Sequence, residues 1–266
     1  MDHLPPELIE LVIDNLLNET EALKACSLTS RALLPRSQVH LLESIALSFE
    51  NMKDIQARVS SDPCRTIFRT RILRIYDSES IQPHDLDEVL DAFMAFKNVR
   101  DLRLRLSATH FVGLDFTLTS HYFAHLQPTL RSLQLMTPRN NPKDLITFIA
   151  FFPFLEEVTL IFLPTPARIA HSKFGELDPN QLHPLRGTLR IYEAGHSSEF
   201  IRQLSKVQVH YHTIELPEPF EMELNALIAA CAPTLRVLQL TPRCTSFFYP
   251  LAMDYKLILQ IQPRIV

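Results

Sequence analysis

Residues 4–17, LPPELIELVIDNLL, set Leu8, Ile9, Leu11, Val12, Ile13, Leu16 and Leu17 among Glu7, Glu10 and Asp14. At about 100° per residue the apolar positions cover an arc of roughly 240° on a helix. A proline pair is tolerated in a first turn, where the missing N–H has no intrahelical partner, and Glu7 suits the positive end of the helix dipole. A helix is therefore expected from residue 5 or 6 to 17. Thr20 is expected to cap a second helix ending near Leu28, and Ser30 a third, which Pro35 should break or kink. Three short helices bury little by themselves, so the surplus apolar arc must meet either the rest of the chain or a second protein.

Beyond residue 60 the pattern changes. RILRIYD, VRDLRLRLS, LRSLQLM, LEEVTLIF, GTLRIYEA, KVQVHYH and LRVLQL place apolar residues at i and i+2, the spacing of strands. HDLDEVLDAFMAFKNV, NPKDLITFIAFF, SSEFIRQLS and FEMELNALIAACA between them have helical spacing. Strand following helix favours parallel pairing with helices on a face, an α/β class. PTLRSLQLMTPR at 128–139 and PTLRVLQLTPR at 233–243 are near-duplicates. With Val99-Leu102-Leu104, Leu155-Val158-Leu160 and Leu204-Val207-Val209 they give an apparent repeat of about 25 to 31 residues.

Composition narrows the classes. With 266 residues, 46% of them hydrophobic, the chain can bury a sizeable core. Residues 1–50 hold eight acidic and three basic residues and the remainder is nearly balanced, so neither part looks like a nucleic-acid surface. LITFIAFFPFL at 145–155 is too short for a bilayer, and no apolar leader precedes Leu4, so neither a membrane nor secretion is expected. Cys26, Cys64, Cys231 and Cys244 lack C-x-x-C spacing and read as reduced thiols, which suits cytosol or nucleus.

Catalytic chemistry is thinly represented. His210 and His212, at i and i+2 of a strand, could share a metal, with Glu215 or His196 as further ligands, in a metal-dependent hydrolase. His121 and His125 are spaced i, i+4, with His110 nearby, but no H-E-x-x-H accompanies them. There is no G-x-S-x-G, and four glycines leave no phosphate-cradling motif. RTIFRTRILR reads as a solvated basic face. No enzymatic activity and no cofactor are expected.

Leu4-Pro5-Pro6-Glu7-Leu8, Ile13, Leu16-Leu17, Leu23 and Cys26-Ser27-Leu28-Thr29-Ser30-Arg31 resemble the F-box, and SRALLPRSQVHLLESI is similar to its fungal variants. Thr29 stands where that family usually has valine, and Leu33 where it often has tryptophan. The resemblance implies a three-helix unit, residues 1–48, docking on the Skp adaptor and through it on a cullin. Leu4, Pro5, Leu8, Ile13, Leu16, Leu17, Leu23 and Leu28 would contact or support that adaptor. Residues 49–266 would be an irregular leucine-rich-repeat-like solenoid with alternating strands and helices, although Pro138 and Pro242 stand where such repeats carry their ladder asparagine. The implied function is substrate recognition in a Skp-cullin-F-box ubiquitin ligase, for an unknown protein substrate. The alternative is a non-degradative scaffold with the same adaptor contact.

Overall fold

A computed structural model of the chain describes residues 5–17, 19–48, 70–76, 93–105, 122–137, 142–162, 182–192, 198–217, 222–241 and 257–260. The described strands form one sheet, in chain order: β1 (Ser44–Ser48), β2 (Ile72–Tyr76), β3 (Asp101–Arg105), β4 (Ser132–Thr137), β5 (Glu157–Phe162), β6 (Leu185–Tyr192), β7 (Val209–Pro217), β8 (Val237–Thr241) and β9 (Leu257–Gln260). β1 to β8 are all parallel, and β9 returns antiparallel to β8. All seven strands expected from the i, i+2 pattern are present.

Alternation along each strand sends one set of side chains to a shared core. Ile45, Leu73, Leu102, Leu133, Val158, Leu189, Ile214 and Leu238 lie side by side in register across the eight parallel strands. Leu47, Ile75, Leu104, Leu135 and Leu160 form a second buried row. Against this face pack α4 (Pro142–Ala150), α5 (Ser198–Leu204) and α6 (Met222–Cys231), through Leu145, Ile149, Phe200, Ile201, Leu204 and Leu227. Each such side chain contributes about 1.5–3 kcal/mol by leaving water. Phe93, Phe123, Phe148 and Phe152 add a cluster of tilted and edge-on rings.

The near-duplicate segments are one structural device used twice. Thr129 and Thr234 stand just before β4 and β8, and each hydroxyl donates back to the carbonyl three residues earlier, Leu126 at 3.4 Å and Cys231 at 3.2 Å. Each also reaches a carbonyl of the neighbouring segment, that of Lys97 ahead of β3 or that of Tyr211 within β7. The next residues, Leu130 and Leu235, are buried, and the arginines after them donate their N–H to the carbonyls of Arg100 and His212. The hydroxyl at this position lets one side chain meet both the turn's own carbonyl and that of the neighbouring segment.

The helical unit holds α1 (Pro6–Asp14), α2 (Thr20–Thr29) and α3 (Leu34–Glu43). Several expectations are corrected: α1 ends at Asp14 rather than at residue 17, and the cap position of α3 falls to Leu33 rather than Ser30. Pro35 lies in the first turn of α3 and so begins that helix, because its missing N–H has no partner there in any case. Thr20 is the first helical residue of α2, and the cap position falls to Glu19 without a side-chain cap bond. Leu204-Val207-Val209 is not the β7 repeat triplet: the residues in register with β8 are Ile214 and Leu216, and buried Tyr211 takes the leading position. The segment 44–48, which the sequence pattern leaves with the helices, is the first strand of the sheet.

Candidate docking surface

The helical unit closes on a small core of its own. Ile13, Leu23 and Leu33 are buried, with Ile9, Leu16, Cys26 and Leu41 packed partly against them. Ile9, Ile13 and Leu16 fall on one side of the α1 apolar arc, within about 60° of one another. Leu8, Leu11 and Val12, at i, i+3 and i+4, take the adjoining side, and they are 47%, 58% and 58% exposed. Leu17, in the turn after α1, is 50% exposed, and Leu28 near the end of α2 is 87% exposed. The surplus apolar arc is thus unburied.

Residues named by the resemblance divide accordingly. Pro5, Leu8, Leu17 and Leu28 are exposed, Ile13 and Leu23 are interior supports, and Leu16 is partly buried against that interior. Leu4 lies outside the described residues. Leu11 and Val12 belong to the exposed face although the motif match does not name them; their i+3 and i+4 spacing from Leu8 is the signal. Leu33 is buried, so its departure from the usual tryptophan changes the unit's packing rather than its surface.

Electrostatics hold this face in place from the side. Asp14 at the end of α1 accepts from Arg36 Nε at 2.6 Å and Nη2 at 2.7 Å, a bidentate fork, and meets His40 Nε2 at 2.7 Å. Hydrogen bonds from Arg36 and then His40 lower the Asp14 carboxyl to about 2, and the same carboxylate raises the Arg36 guanidinium. This clamp ties α1 to α3 and fixes which side of α1 faces water.

α3 then passes into β1 without a linker. Its last residue, Glu43, is followed by Ser44 in extended conformation, and the Glu43 carbonyl accepts from Arg71 N at 2.9 Å. Thr70 Oγ1 donates to the Leu42 carbonyl at 3.0 Å. The helical unit and the sheet are joined by hydrogen bonds as well as by the chain.

Chemistry elsewhere is sparse among the described residues. His210 and His212 are exposed and line an open cleft of about 660 Å³ at the start of β6 to β8. Glu215 is held by Arg190 Nε at 3.1 Å, His196 lies outside the described residues, and no group of three His, Cys, Asp or Glu is placed to hold a metal among the described ones. His125 packs edge-on to Phe93, whereas His110 and His121 lie outside the described residues. The buried Cys231 thiol is pushed up to about 11 by desolvation. Arg71 and Arg74 of the basic stretch stand at β2, Arg71 facing Glu43 at 3.7 Å; Arg65 and Arg69 lie outside the described residues. No described helix is long and apolar enough to cross a membrane.

No family model matches the chain, and no curated protein or solved structure is significantly similar to it.

Proposed function

We propose that the chain is the substrate-recognition subunit of a Skp-cullin-F-box ubiquitin ligase, docking on a Skp adaptor through α1 and α2. The observation that carries this reading is the exposed trio Leu8, Leu11 and Val12 on a helix whose other apolar side already fills the unit's own core. Covering side chains of this kind is worth on the order of 1 kcal/mol each, enough to hold a partner when several act together.

In this reading the sheet region is an irregular leucine-rich-repeat-like solenoid that presents the substrate. Support comes from spacing: the in-register residues Ser44, Ile72, Asp101, Ser132, Glu157, Thr188, Thr213 and Val237 recur every 24 to 31 residues, each on a strand parallel and adjacent to the last. The chain itself performs no covalent step; it raises the local concentration of substrate lysines near the transferring partner. The bonded α3–β1 junction suits that task, because a fixed joint keeps the substrate at a fixed offset from the adaptor.

The test is reconstitution with recombinant Skp adaptor, cullin and a ubiquitin-charged conjugating enzyme. Complex formation lost in Leu8→Asp/Val12→Asp supports the docking reading, and ubiquitylation of a co-purified protein supports the ligase role. Complex formation without ubiquitylation would leave the scaffold alternative, and absence of any complex would overturn both.

A further inference from the structure

Two surfaces of this chain carry complementary chemistry. On the open face of the sheet, Arg74 of β2 lies directly opposite Arg103 of β3. Two residues further on, Tyr76, Arg105 and Met136 lie side by side on β2, β3 and β4. Arg103 is neutralised by Asp101, whose carboxylate accepts from Nε at 3.2 Å and from Nη2 at 2.8 Å. Arg74 and Arg105 have no carboxylate partner among the described residues, and Arg74 Nε, itself buried, has no acceptor there. Like charges directly opposite on neighbouring strands weaken a sheet, so Arg74 and Arg103, with one acid between them, favour a carboxylate from outside. Tyr76 and Met136 set apolar surface on either side of Arg105.

α1 presents the matching pattern. At about 100° per residue, Glu10, Glu7, Leu11, Leu8 and Val12 follow one another around its exposed side, so the two carboxylates run along one edge of the apolar trio. Glu10 also feels the Arg36 guanidinium, whose own fork is taken by Asp14, and Glu7 has no cationic partner among the described residues. The same fork holds α1 to α3, and α3 runs directly into β1. In that fixed arrangement the trio is exposed, so a sheet face that covers it belongs to another copy.

We propose that the open face of β2 to β4 receives α1 of a second copy of this chain. Leu8, Leu11 and Val12 pack on Tyr76 and Met136, Glu7 meets Arg105, and Glu10 meets Arg74. Three adjacent strands span about 10 Å, the width of one helix, so α1 covers the basic and apolar positions together. The contact joins two different surfaces and is therefore head-to-tail, building open chains of copies rather than a closed pair. It occupies the face assigned above to the adaptor, so self-association and docking exclude one another and the assembled chain is an undocked store. Only this last consequence rests on the adaptor reading.

The experiment is analytical sedimentation of the full chain alone, from about 1 to 100 μM. The weight-average mass of the parent should rise with concentration. Arg105→Glu and Glu7→Arg should each raise the midpoint concentration at least ten-fold, and an equimolar mixture of the two variants should return toward the parent, because each then offers the other a complementary surface. Both side chains are exposed, so the melting temperatures of the variants at low concentration should match the parent and rule out unfolding. A parent that stays monomeric throughout overturns the proposal and leaves adaptor docking standing, since no adaptor is present. Association unchanged in either variant, or no recovery in the mixture, also overturns it, because the copies then meet through other surfaces.

Discussion

The helices of residues 6–43 close on three buried hydrophobic side chains, whereas the sheet that follows buries whole rows of them. In the sheet, apolar residues go inward at every second position, and Asp101, Glu157 and Glu215 find arginine partners on the opposite face. In the helical unit, α1 has apolar residues left over after its own core is filled. One region resembles a protein interior, the other half of one. Stability of the sheet is therefore self-contained, while the helical unit has surface whose burial requires something more.

Variants in the two regions should separate stability from docking. The largest effect is expected from Leu133→Ala, at a fully buried position in the middle of the sheet. Loss of that side chain should cost about 2–5 kcal/mol and lower the melting temperature by several degrees, with docking by the folded protein unchanged at low temperature. Denaturant titration alongside adaptor binding at 10 °C checks both halves.

Leu8→Asp/Val12→Asp should do the reverse. Adaptor affinity should fall by about 100-fold or more while the melting temperature stays within a degree or two, because both positions are already in water. Leu16→Asp sharpens the contrast: partly buried against Ile13 and Leu23, it should destabilise the helical unit itself, seen as faster amide exchange in α1 to α3.

Asp14→Asn should have a smaller effect, loosening α1 from α3 without touching the sheet. A carboxyl held at about 2, against 3.8 ordinarily, adds stability that is present above the ordinary value and is lost as pH falls through 2. The stability gap between parent and Asp14→Asn should accordingly be full at pH 5 and shrink toward pH 2, which thermal melts across that range would follow. Smallest of all, Leu28→Ser, at a side chain 87% exposed, should change stability by no more than about 0.5 kcal/mol yet weaken docking a few-fold. A large stability loss there would show that Leu28 is covered by the chain itself.

How much of this was legible in the sequence varies by residue. Strand alternation such as Leu102-x-Leu104 and Leu133-x-Leu135 reads directly, because period two has one structural meaning when a row is buried. β1 did not read, since Ile45 and Leu47 continue the apolar run Leu41-Leu42 of α3 and the switch of period occurs at a single residue, Ser44. Tyr211 does not stand out in the pattern, because an aromatic takes a position that leucine, valine or threonine holds elsewhere, and the bulge at His212 shifts the count by one. On α1 the pattern gave the width of the apolar arc but not its division. Which half turns inward depends on Leu23 and Leu33 and on the Asp14–Arg36 clamp, contacts between segments that no single-helix projection contains.

The most direct test is the equilibrium affinity of the full chain for a purified Skp adaptor, measured by isothermal titration with parent protein and with Leu8→Asp/Val12→Asp. The account predicts saturable one-to-one binding by the parent and its loss in the double variant, with identical melting curves. No binding by the parent, or equal binding by both proteins, would contradict it.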